Sequence, residues 1–554
     1  MLTGTPSGFR DILPEEALVR ERICATVREC FSSHGYQPVE TPLLEYRDVL
    51  ERGSSIQDTP FQLFDTTSDL LVLRPDLTLP MARVVASRVE RGQLPVRLRS
   101  EAAVVREESS LKGQPRQFTQ LDVELVGERP VTSELEVVRL LAEVLDKLEV
   151  PDWRIVCGSV SPLVSLVDAC APSKEFRRRV LELVHESDLV TLDEYVESAE
   201  GLTEAQVTAL HKIPRAAGGL EVIEAIDALL EDAGVPSHMR GTRDLALFAG
   251  SLGDMVGKDR LSFDFSIINS FDYYTGIVFK AYAEGIAASL GSGGRYDAVL
   301  GNLGRENLVA CGFALSLERL QEVLGEPGES GVVTPGVRMA ERPLRIAVPK
   351  GALLKPTLKV LEAAGLPIEG LRDPGRHLTV REGDYEYVIV RATDAPTFVG
   401  HGGADCGICG TDTLAESGID LLQLVDLGYG RCHFVLAEPA DARGRAERNY
   451  AWRGTMRVAT KYPRITKAYY DRIGQQVDVI TLHGNIELGP IVGMADRIVD
   501  ITETGTTLRE NDLVVVADDI LEVSARFFAG PAAYRCDRRI RGLVTRLAEA
   551  AKRG

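Results

Sequence analysis

A Gly- and Pro-rich stretch at residues 325–342, GEPGESGVVTPGVRMAER, divides this 554-residue chain into two regions of different pattern. The stretch has no apolar periodicity, which is typical of a linker. Strand-like and helix-like patterns are mixed before it, whereas a new strand–glycine–helix sequence begins directly after it. We therefore predict a first module over residues 1–324, a linker over 325–342 and a second module over 343–554.

The first module has the pattern of an α+β domain. Residues 14–34 fit an amphipathic helix, and apolar residues at helical spacing dominate again from about 161 to 255. The predicted strands lie on both sides of this helical stretch, at 97–106, 118–127, 261–267, 275–283 and 309–314. That order predicts an antiparallel sheet interrupted by a helical insertion.

The second module has the alternating pattern of an α/β domain. Its predicted strands and helices follow in turn: 344–349, 353–364, 386–391, 404–409 and 411–417, then a strand–helix–strand set over 455–516 and a last helix over 536–551. Such alternation is typical of a parallel sheet with crossover helices. We predict two α/β lobes with a cleft between them.

The segment Asp500–Leu508, DITETGTTL, follows the apolar run Ile498–Val499. A strand that ends in a Gly- and Thr-rich turn presents several backbone N–H groups and hydroxyls to one point, which suits a phosphate. The carboxylates of Asp500 and Glu503 are placed to accept hydrogen bonds from sugar hydroxyls or to hold a magnesium ion. Phosphate, ribose and metal together indicate a phosphoribosyl donor, and an ordinary polar loop after a strand is the alternative.

Composition argues against nucleic-acid and membrane partners. The net charge is −19, whereas proteins that grip tRNA or DNA need a basic footprint. No apolar run approaches the roughly 20 residues that span a bilayer, and the N-terminal sequence lacks the pattern of a signal peptide. Nine scattered cysteines indicate reduced thiols in a cytoplasm. We expect the C-x-x-C pair Cys406 and Cys409 to serve packing rather than metal binding.

Five strings of the first module resemble the catalytic core of class II aminoacyl-tRNA synthetases, specifically the histidyl enzyme. The strings are GYQPVETP (35–42), LRSEAAVVREE with RQFTQLDVELVG (within 98–127), FDYYTG (271–276), GSGGRYD (291–297) and GFALSLERL (312–320). Arg319 stands in the place of the ATP-contacting arginine of the third class II motif. The resemblance covers about residues 5–322 and implies a class II synthetase-like antiparallel sheet.

The same resemblance implies a pocket for free histidine. Asp76 and Thr78, in the string RPDLT, are positioned to accept the α-ammonium of the ligand. Gln120 and Glu124 alternate along a predicted strand and therefore point to one face. The predicted regulatory histidine contacts are Asp76, Thr78, Gln120, Glu124, Tyr273 and Tyr274, of which the two tyrosines are expected at the imidazole.

Three departures from the histidyl enzyme argue against aminoacylation. Asn269 stands where the family has a catalytic arginine, which removes a cation that would stabilise negative charge during adenylate formation. The usual anticodon-binding domain is replaced by unrelated sequence, and the whole chain is acidic. We predict a module that senses histidine, does not activate it and does not bind tRNA.

The second module, from about Leu344 onwards, resembles the short form of ATP phosphoribosyltransferase, which opens histidine biosynthesis. The family signature is satisfied throughout Glu487–Leu508, and Arg391–Asp412 and Thr460–Tyr470 are similar to further family segments. The resemblance implies a two-lobed fold of periplasmic-binding-protein-like architecture. It also implies transfer of a phosphoribosyl group from phosphoribosyl pyrophosphate to N1 of ATP, with Mg²⁺ carried mainly by the substrate.

Site residues follow from this resemblance by position. The predicted catalytic residues are Lys350, Arg376 and Asp500; the predicted contacts to phosphoribosyl pyrophosphate are Asp500, Glu503, Thr504, Gly505, Thr506 and Thr507; and the predicted contacts to ATP are Arg391 and Lys461. Lys350 and Arg376 are assigned to the pyrophosphate side, where negative charge grows. Family members often have arginine after Lys-Gly, but Ala352 stands there, so one cation is missing or is supplied from elsewhere.

Together the two resemblances predict a fused regulatory and catalytic ATP phosphoribosyltransferase that histidine inhibits. A homo-oligomer is expected, with a dimer as the minimum and a tetramer as an extension. Two alternatives remain open at this point: a catalytically inactive regulator that binds histidine or nucleotide, and a histidyl-tRNA synthetase with an appended domain.

Overall fold

The computed structural model describes residues 4–53, 61–66, 68–106, 115–257, 259–267, 274–324, 342–442, 444–502 and 505–553. The chain divides into two compact units, Met1–Glu341 and Arg342–Gly554. All but the last residue of the predicted linker lies outside the described residues. Within the described part of the chain, no helix has the length and apolarity needed to cross a membrane.

The first unit contains twelve helices and twelve strands among its described residues. Its helices are α1 Pro14–Ser33, α2 Arg47–Gly53, α3 Thr78–Arg88, α4 Thr132–Lys147, α5 Ser161–Cys170, α6 Lys174–His185, α7 Leu189–Glu197, α8 Glu204–Lys212, α9 Glu221–Asp232, α10 Thr242–Val256, α11 Asp297–Asn302 and α12 Leu317–Leu324. Its strands are β1 Gln37–Pro38, β2 Leu44–Tyr46, β3 Gln62–Phe64, β4 Leu70–Leu73, β5 Val96–Val105, β6 Gln117–Val126, β7 Arg154–Ser159, β8 Ala217–Gly218, β9 Leu261–Asp264, β10 Ile277–Tyr282, β11 Gly291–Arg295 and β12 Ala310–Ser316.

One nine-stranded sheet organises this unit, in the order β1-β5-β6-β12-β11-β10-β7-β9-β8. Its pairs are antiparallel except for β1 with β5 and β7 with β9. Helices α5 to α10 lie between β7 and β9 in the chain, which confirms the predicted antiparallel sheet with a helical insertion. Strands β2, β4 and β3 form a separate small sheet.

The central strand β6 shows why the two faces of this sheet differ. Leu121, Val123 and Leu125 are buried in the main core, in one apolar cluster with residues of α1 and α4. Gln120 and Glu124 alternate with them on the opposite face and are also buried. One face of the sheet therefore holds the apolar core, and the other carries buried polar groups.

The second unit contains ten helices and twelve strands among its described residues. Its helices are α13 Leu354–Ala363, α14 Glu369–Arg372, α15 Ala395–Gly400, α16 Thr411–Ser417, α17 Arg445–Arg453, α18 Pro463–Arg472, α19 Leu488–Ile491, α20 Thr506–Glu510, α21 Pro531–Cys536 and α22 Arg538–Arg553. Its strands are β13 Leu344–Lys350, β14 Thr379–Glu382, β15 Tyr385–Arg391, β16 Cys406–Gly410, β17 Leu422–Asp426, β18 Cys432–Pro439, β19 Met456–Thr460, β20 Val477–Thr481, β21 Arg497–Thr502, β22 Leu513–Ala517, β23 Glu522–Val523 and β24 Ala525–Ala529.

Two sheets form the two lobes of this unit. The first lobe has the order β14-β15-β13-β16-β24-β17, and the second has β20-β19-β21-β18-β22 with β23 paired to β18. A parallel sheet was predicted, but only β15-β13-β16 and β20-β19-β21 pair in parallel. The chain crosses between lobes from β17 to β18 and from β23 to β24 without a crossover helix, and the remaining pairs are antiparallel.

The C-x-x-C pair lies in the central strand β16 of the first lobe. Cys406 and Cys409 are buried free thiols in different apolar clusters. Burial raises the pKa of both thiols well above its usual range. Both side chains therefore serve packing.

Asp496 anchors the amino end of β21 in the second lobe. Its carboxylate accepts hydrogen bonds from the side chains of Asn449 and Arg453 and from the Arg457 amide, with distances of 2.7–3.1 Å. Burial opposes ionisation of Asp496, but these donors outweigh it and lower the pKa of the carboxyl group. The side chain is only 3% exposed, so the charged hydrogen bonds are shielded from water.

Replacement of Asp496 by asparagine is therefore expected to lower the free energy of unfolding by roughly 1.5–3 kcal/mol at pH 7, the usual range for hydrogen bonds to charged groups. Because the folded-state pKa is lowered, the stabilisation is fully present above the unfolded-state pKa and is lost as the pH falls through the folded-state value. Urea unfolding of the variant and of the exposed control Asp518→Asn measures it. An unchanged free energy of unfolding would contradict the assignment.

Candidate functional site

Three cationic side chains lie at one edge of the sheet in the first lobe. Lys350 and Arg391 end the parallel strands β13 and β15, are paired in register and are exposed. The Ile389 amide of β15 donates to the carbonyl of Leu378 at 2.8 Å, so the turn before β14 runs past the same edge. Arg376 belongs to that turn and is exposed. The carboxyl ends of β13 and β15 therefore carry positive charge.

The second lobe places an acid and a lysine at the matching edge of its sheet. Lys461 directly follows β19, and Asp500 lies near the end of the adjacent parallel strand β21. The Ile501 amide donates to Oδ1 of Asp500 at 2.8 Å. Burial raises the pKa of Asp500 and the nearby Glu487 carboxylate raises it further, whereas the Ile501 amide and the Lys461 ammonium lower it. Asp500 thus lies in an environment that favours a cationic or hydrogen-donating ligand.

Lys461 of the second lobe is close to acidic side chains of both lobes. Its charge also acts on Asp412, which begins helix α16 in the first lobe and whose pKa is raised mainly by burial. Burial raises the pKa of Tyr462, and the charges of Asp412 and Asp500 raise it further, so these three groups lie near one another where the lobes approach. Asp412 was not predicted as a site residue, although it ends the string CGICGTD directly after a buried strand.

A direct contact joins the lobes beside this cleft. The Glu416 carboxylate of α16 accepts hydrogen bonds from the Arg464 and Ile465 amides, at 3.0 and 3.1 Å. These amides open helix α18, whose preceding residues include Lys461. Glu416 was also not predicted, because nothing in its local sequence identifies a partner 48 residues away.

The predicted phosphate turn follows β21 at the cleft. Gly505 has a φ of +67°, which favours glycine, and its amide donates to Oγ1 of Thr502 at 2.8 Å. Thr506 and Thr507 begin helix α20. The predicted contacts Glu503 and Thr504 lie outside the described residues. The turn therefore begins at the same sheet edge as Asp500.

The donor groups of the cleft suit a hard divalent cation. Asp412 and Asp500 offer carboxylate oxygens, which are the ligands that Mg²⁺ prefers. Burial raises the pKa of both groups, and a bound cation would offset that penalty on the charged forms. Asp412 and Asp500 are therefore the candidates that would contact a magnesium ion arriving with a phosphorylated substrate.

The first unit has a second candidate site on the polar face of its main sheet. Gln120, Asp122 and Glu124 form a row along β6 and are all buried. Their cross-strand neighbours on β5 and β12, apart from Leu98, are small: Ser100, Ala102, Gly312, Ala314 and Ser316. A side chain at position 312 would collide with the Glu124 carboxylate. We call this buried row, together with its small neighbours, the trough.

Further predicted residues surround this trough. Glu124 accepts a hydrogen bond from the Tyr296 hydroxyl. Burial raises the pKa of Glu124 to about 8, although hydrogen bonds from Tyr296 and Thr78 oppose the rise and the Asp76 charge adds to it. The Leu79 amide donates to Oδ1 of Asp76 at 3.0 Å. Asp76, Thr78 and Glu124 are thus brought together at one pocket.

Of the predicted tyrosines and the predicted arginine, Tyr274 and Arg319 belong to the described residues. Tyr274 lies next to the trough, since its ring would meet a Cβ placed at Gly294 and its pKa is influenced by Glu124, Asp76 and Asp122. Tyr273 and Asn269 lie outside the described residues. Arg319 is half-buried, and its Nη1 donates to the carbonyl of Ser289 at 2.7 Å. Asp122 and Tyr296 were not predicted, although Asp122 alternates with Gln120 and Glu124 in the sequence.

Comparisons with known proteins divide the chain at the same place. The profile of the family described as Histidyl-tRNA synthetase matches residues 8–320, and that of ATP phosphoribosyltransferase matches residues 391–549. The ATP phosphoribosyltransferase of Rubrobacter xylanophilus is 50% identical over 204 residues, which cover 37% of this chain and 94% of the relative.

Other relatives and structural neighbours match a longer part of the chain. The ATP phosphoribosyltransferase regulatory subunit of Desulfitobacterium hafniense is 31% identical over 386 residues, covering 70% of this chain and 97% of the relative. The crystal structure of an ATP phosphoribosyltransferase regulatory subunit/histidyl-tRNA synthetase from Bacillus halodurans is 26% identical with a TM-score of 0.55, covering 71% of this chain and 93% of that chain.

The fold, the candidate site and the comparisons define a glycosyltransferase. In the chain, a class II synthetase-like unit precedes the two-lobed catalytic unit. The chain belongs to the ATP phosphoribosyltransferase family through its second unit and to the histidyl-tRNA synthetase family through its first. The resemblances and the fold class inferred from sequence are confirmed.

Proposed function

We propose that the cleft of the second unit joins N1 of the adenine of ATP to C1 of the ribose of phosphoribosyl pyrophosphate, with release of pyrophosphate. This is the first step of histidine biosynthesis. The proposal depends on the position of three cations, Lys350, Arg376 and Arg391, at one sheet edge of the first lobe. The charge of Lys461 acts on both Asp412 and Asp500, which links this lobe to the second one.

The charges match the needs of the reaction. As the bond between C1 and pyrophosphate breaks, the ribose gains oxocarbenium character and the leaving group gains negative charge. Preorganised cations stabilise that charge without reorganisation, and we assign this role to Lys350 and Arg376. A magnesium ion held with the pyrophosphate, near the oxygens of Asp412 and Asp500, would neutralise further charge. Arg391 and Lys461 are assigned to ATP, and alignment of the two substrates lowers the barrier further.

The alanine at position 352 does not leave this edge without cations. Arg376 and Arg391 come from other segments and lie at the same sheet edge as Lys350. This arrangement favours a working catalyst over the alternative of a catalytically inactive regulator.

The first unit acts in this proposal as the histidine sensor. Asp76, Thr78, Gln120 and Glu124 surround one pocket with buried carboxyl groups, which suits an amino acid with an ammonium group. Histidine bound there would reduce turnover at the separate catalytic cleft, which is an allosteric coupling. We further propose a homo-oligomer, dimeric at least, formed through the class II-like unit.

Pyrophosphate release from ATP and phosphoribosyl pyrophosphate with Mg²⁺, measured with and without histidine, tests the proposal. Turnover that histidine suppresses is the expected result. Turnover insensitive to histidine would retain the catalytic assignment and overturn the sensing role, and absence of turnover would overturn the catalytic assignment. Histidine-dependent exchange between ATP and pyrophosphate, with no phosphoribosyl donor present, would instead indicate aminoacyl adenylate formation.

The contact of Glu416 with α18 yields a prediction about catalysis. Replacement of Glu416 by alanine removes both acceptors of the Arg464 and Ile465 amides, so the segment carrying Lys461 loses its anchor to the other lobe. We expect kcat/KM to fall by about 10-fold, since loss of one or two hydrogen bonds of this kind amounts to about 1–2 kcal/mol. Glu416→Gln keeps one acceptor and should lose less; equal kinetics for all three proteins would contradict the anchoring role.

A further inference from the structure

Three side chains of types that commonly bind zinc lie together where helix α1 ends against helix α4. They are Cys30 and His34 at the end of α1 and Glu143 of α4, and one ligand atom from each lies within 4.8 Å of the other two. In the described part of the chain, this is the one group of three His, Cys, Asp or Glu side chains arranged in this way. The cluster lies in the first unit and takes no part in the candidate catalytic cleft.

Helix geometry brings two of these ligands to one face. Cys30 and His34 are four residues apart, which is about one helical turn, and His34 is the residue at which α1 ends. Cys30 is fully buried in the apolar core that α1 and α4 share. The side chains of His34 and Glu143 are 28% and 31% exposed, so the side of the cluster away from the core is open to solvent.

Glu143 joins the members of the cluster. Its Oε2 is 2.8 Å from Nε2 of His34, and its Oε1 is 3.0 Å from Nζ of Lys147. Burial and the charge of Glu143 raise the pKa of the Cys30 thiol to about 11 against the opposing charge of Lys147, so the thiol lies beside the same carboxylate. Oε1 keeps its hydrogen bond to Lys147 when Oε2 binds a metal, and such outer hydrogen bonds orient ligating carboxylates.

The ligand types select an ion of the zinc class. Thiolate and imidazole favour Zn²⁺ over Mg²⁺ and Ca²⁺, which prefer oxygen ligands. Zinc–ligand bonds of about 2.0–2.3 Å place the ligand atoms of a tetrahedral site about 3.3–3.8 Å apart. The three atoms already lie within 4.8 Å of one another, so small rotations of the partly exposed His34 and Glu143 side chains bring all three to bonding distance.

We propose that Cys30, His34 and Glu143 bind a zinc ion, with solvent as the fourth ligand, and that this ion links the end of α1 to α4. The inference is independent of the proposed function. On binding, the Cys30 thiol releases its proton to solvent, a sulfur lone pair forms the bond to the metal, and the metal loses water molecules; no electron is transferred. Because the ion binds the folded unit, it stabilises that unit against unfolding.

Cobalt binding to the reduced, metal-free full chain tests the proposal, because Co²⁺ substitutes for Zn²⁺ and absorbs light when a thiolate binds it. We expect a thiolate-to-cobalt charge-transfer band that saturates at one Co²⁺ per chain, disappears on addition of Zn²⁺ and persists in excess Mg²⁺. All nine cysteines of the chain are described and free, so substitution can assign the band to one thiol. Absence of the band in excess Co²⁺ would overturn the proposal.

The variants distinguish this site from other thiols. Cys30→Ser should abolish the band, and His34→Gln should weaken Co²⁺ binding by at least ~100-fold, because one of three protein ligands is lost. The matched control Cys24→Ser replaces another buried cysteine of α1 and should bind Co²⁺ as the wild type does. A band that persists in Cys30→Ser would refute the site. Should that variant fail to fold, unaltered affinity in His34→Gln would refute it instead.

Thermal unfolding measures the link between the helices. Zinc should raise the midpoint of unfolding by a few degrees in the wild type and in Cys24→Ser, and should leave Cys30→Ser unchanged. An equal rise in all three proteins would indicate adventitious zinc only and would overturn the link between α1 and α4.

Discussion

Replacement of Asp500 by asparagine is expected to lower kcat/KM for phosphoribosyl pyrophosphate by about 10²-fold, which corresponds to loss of charged hydrogen bonds worth roughly 1.5–3 kcal/mol. Asp500 lies near the end of β21, where Gly505 and Thr502 begin the predicted phosphate turn. Its carboxylate is assigned to the ribose hydroxyls. The asparagine variant keeps one acceptor for the Ile501 amide but loses the negative charge.

Steady-state pyrophosphate release, with each substrate varied in turn, measures this effect. The loss should be larger for phosphoribosyl pyrophosphate than for ATP, because ATP is assigned to Arg391 and Lys461. Asp518→Asn, an exposed substitution in the same lobe, serves as the matched control. A variant at position 500 with unaltered kcat/KM for phosphoribosyl pyrophosphate would refute the assignment.

The second large effect concerns inhibition. Replacement of Asp76 by asparagine is expected to raise the histidine concentration for half-inhibition by at least ~30-fold, because a buried charge-assisted hydrogen bond to the α-ammonium is lost. The asparagine side chain still offers an oxygen to the Leu79 amide, to which Oδ1 of Asp76 is bonded at 3.0 Å. The start of helix α3 should therefore be preserved.

The ratio of inhibited to uninhibited turnover, measured in one preparation over a histidine series, reports this change. Glu101→Gln provides a control carboxyl outside the pocket. Calorimetry separates two causes of lost inhibition, since a variant that still binds histidine normally would have lost coupling and not recognition. Inhibition that is identical in wild type and Asp76→Asn would show that histidine acts at another place.

Sequence patterns located helix α1 and five of the twelve described strands of the first unit to within a few residues. The predicted helix over 14–34 is α1, and the two long strand predictions, 97–106 and 118–127, each begin and end one residue from β5 and β6. These elements are amphipathic or alternate regularly, and such periodicity is a local property of the chain.

The direction in which strands pair in the second unit was harder to predict from the sequence. Alternation of strands and helices predicted parallel pairing, which holds only for three strands in each lobe. Strands β17, β18 and β24 are short apolar runs whose partners lie far away in the chain. Their direction depends on where the chain crosses between lobes, and periodicity carries no information on that.

Motif spacing and apolar periodicity are read along the chain, so they were sufficient to identify the two modules, the order of their main elements and the two families. Only the tertiary structure placed Lys350, Arg376 and Arg391 at one edge, since that depends on strands β13, β14 and β15 pairing in a particular direction. It also brought Glu143 of α4 next to Cys30 and His34 of α1. Both arrangements are contacts between segments that are distant in the chain, and such contacts arise only when strands pair and helices pack.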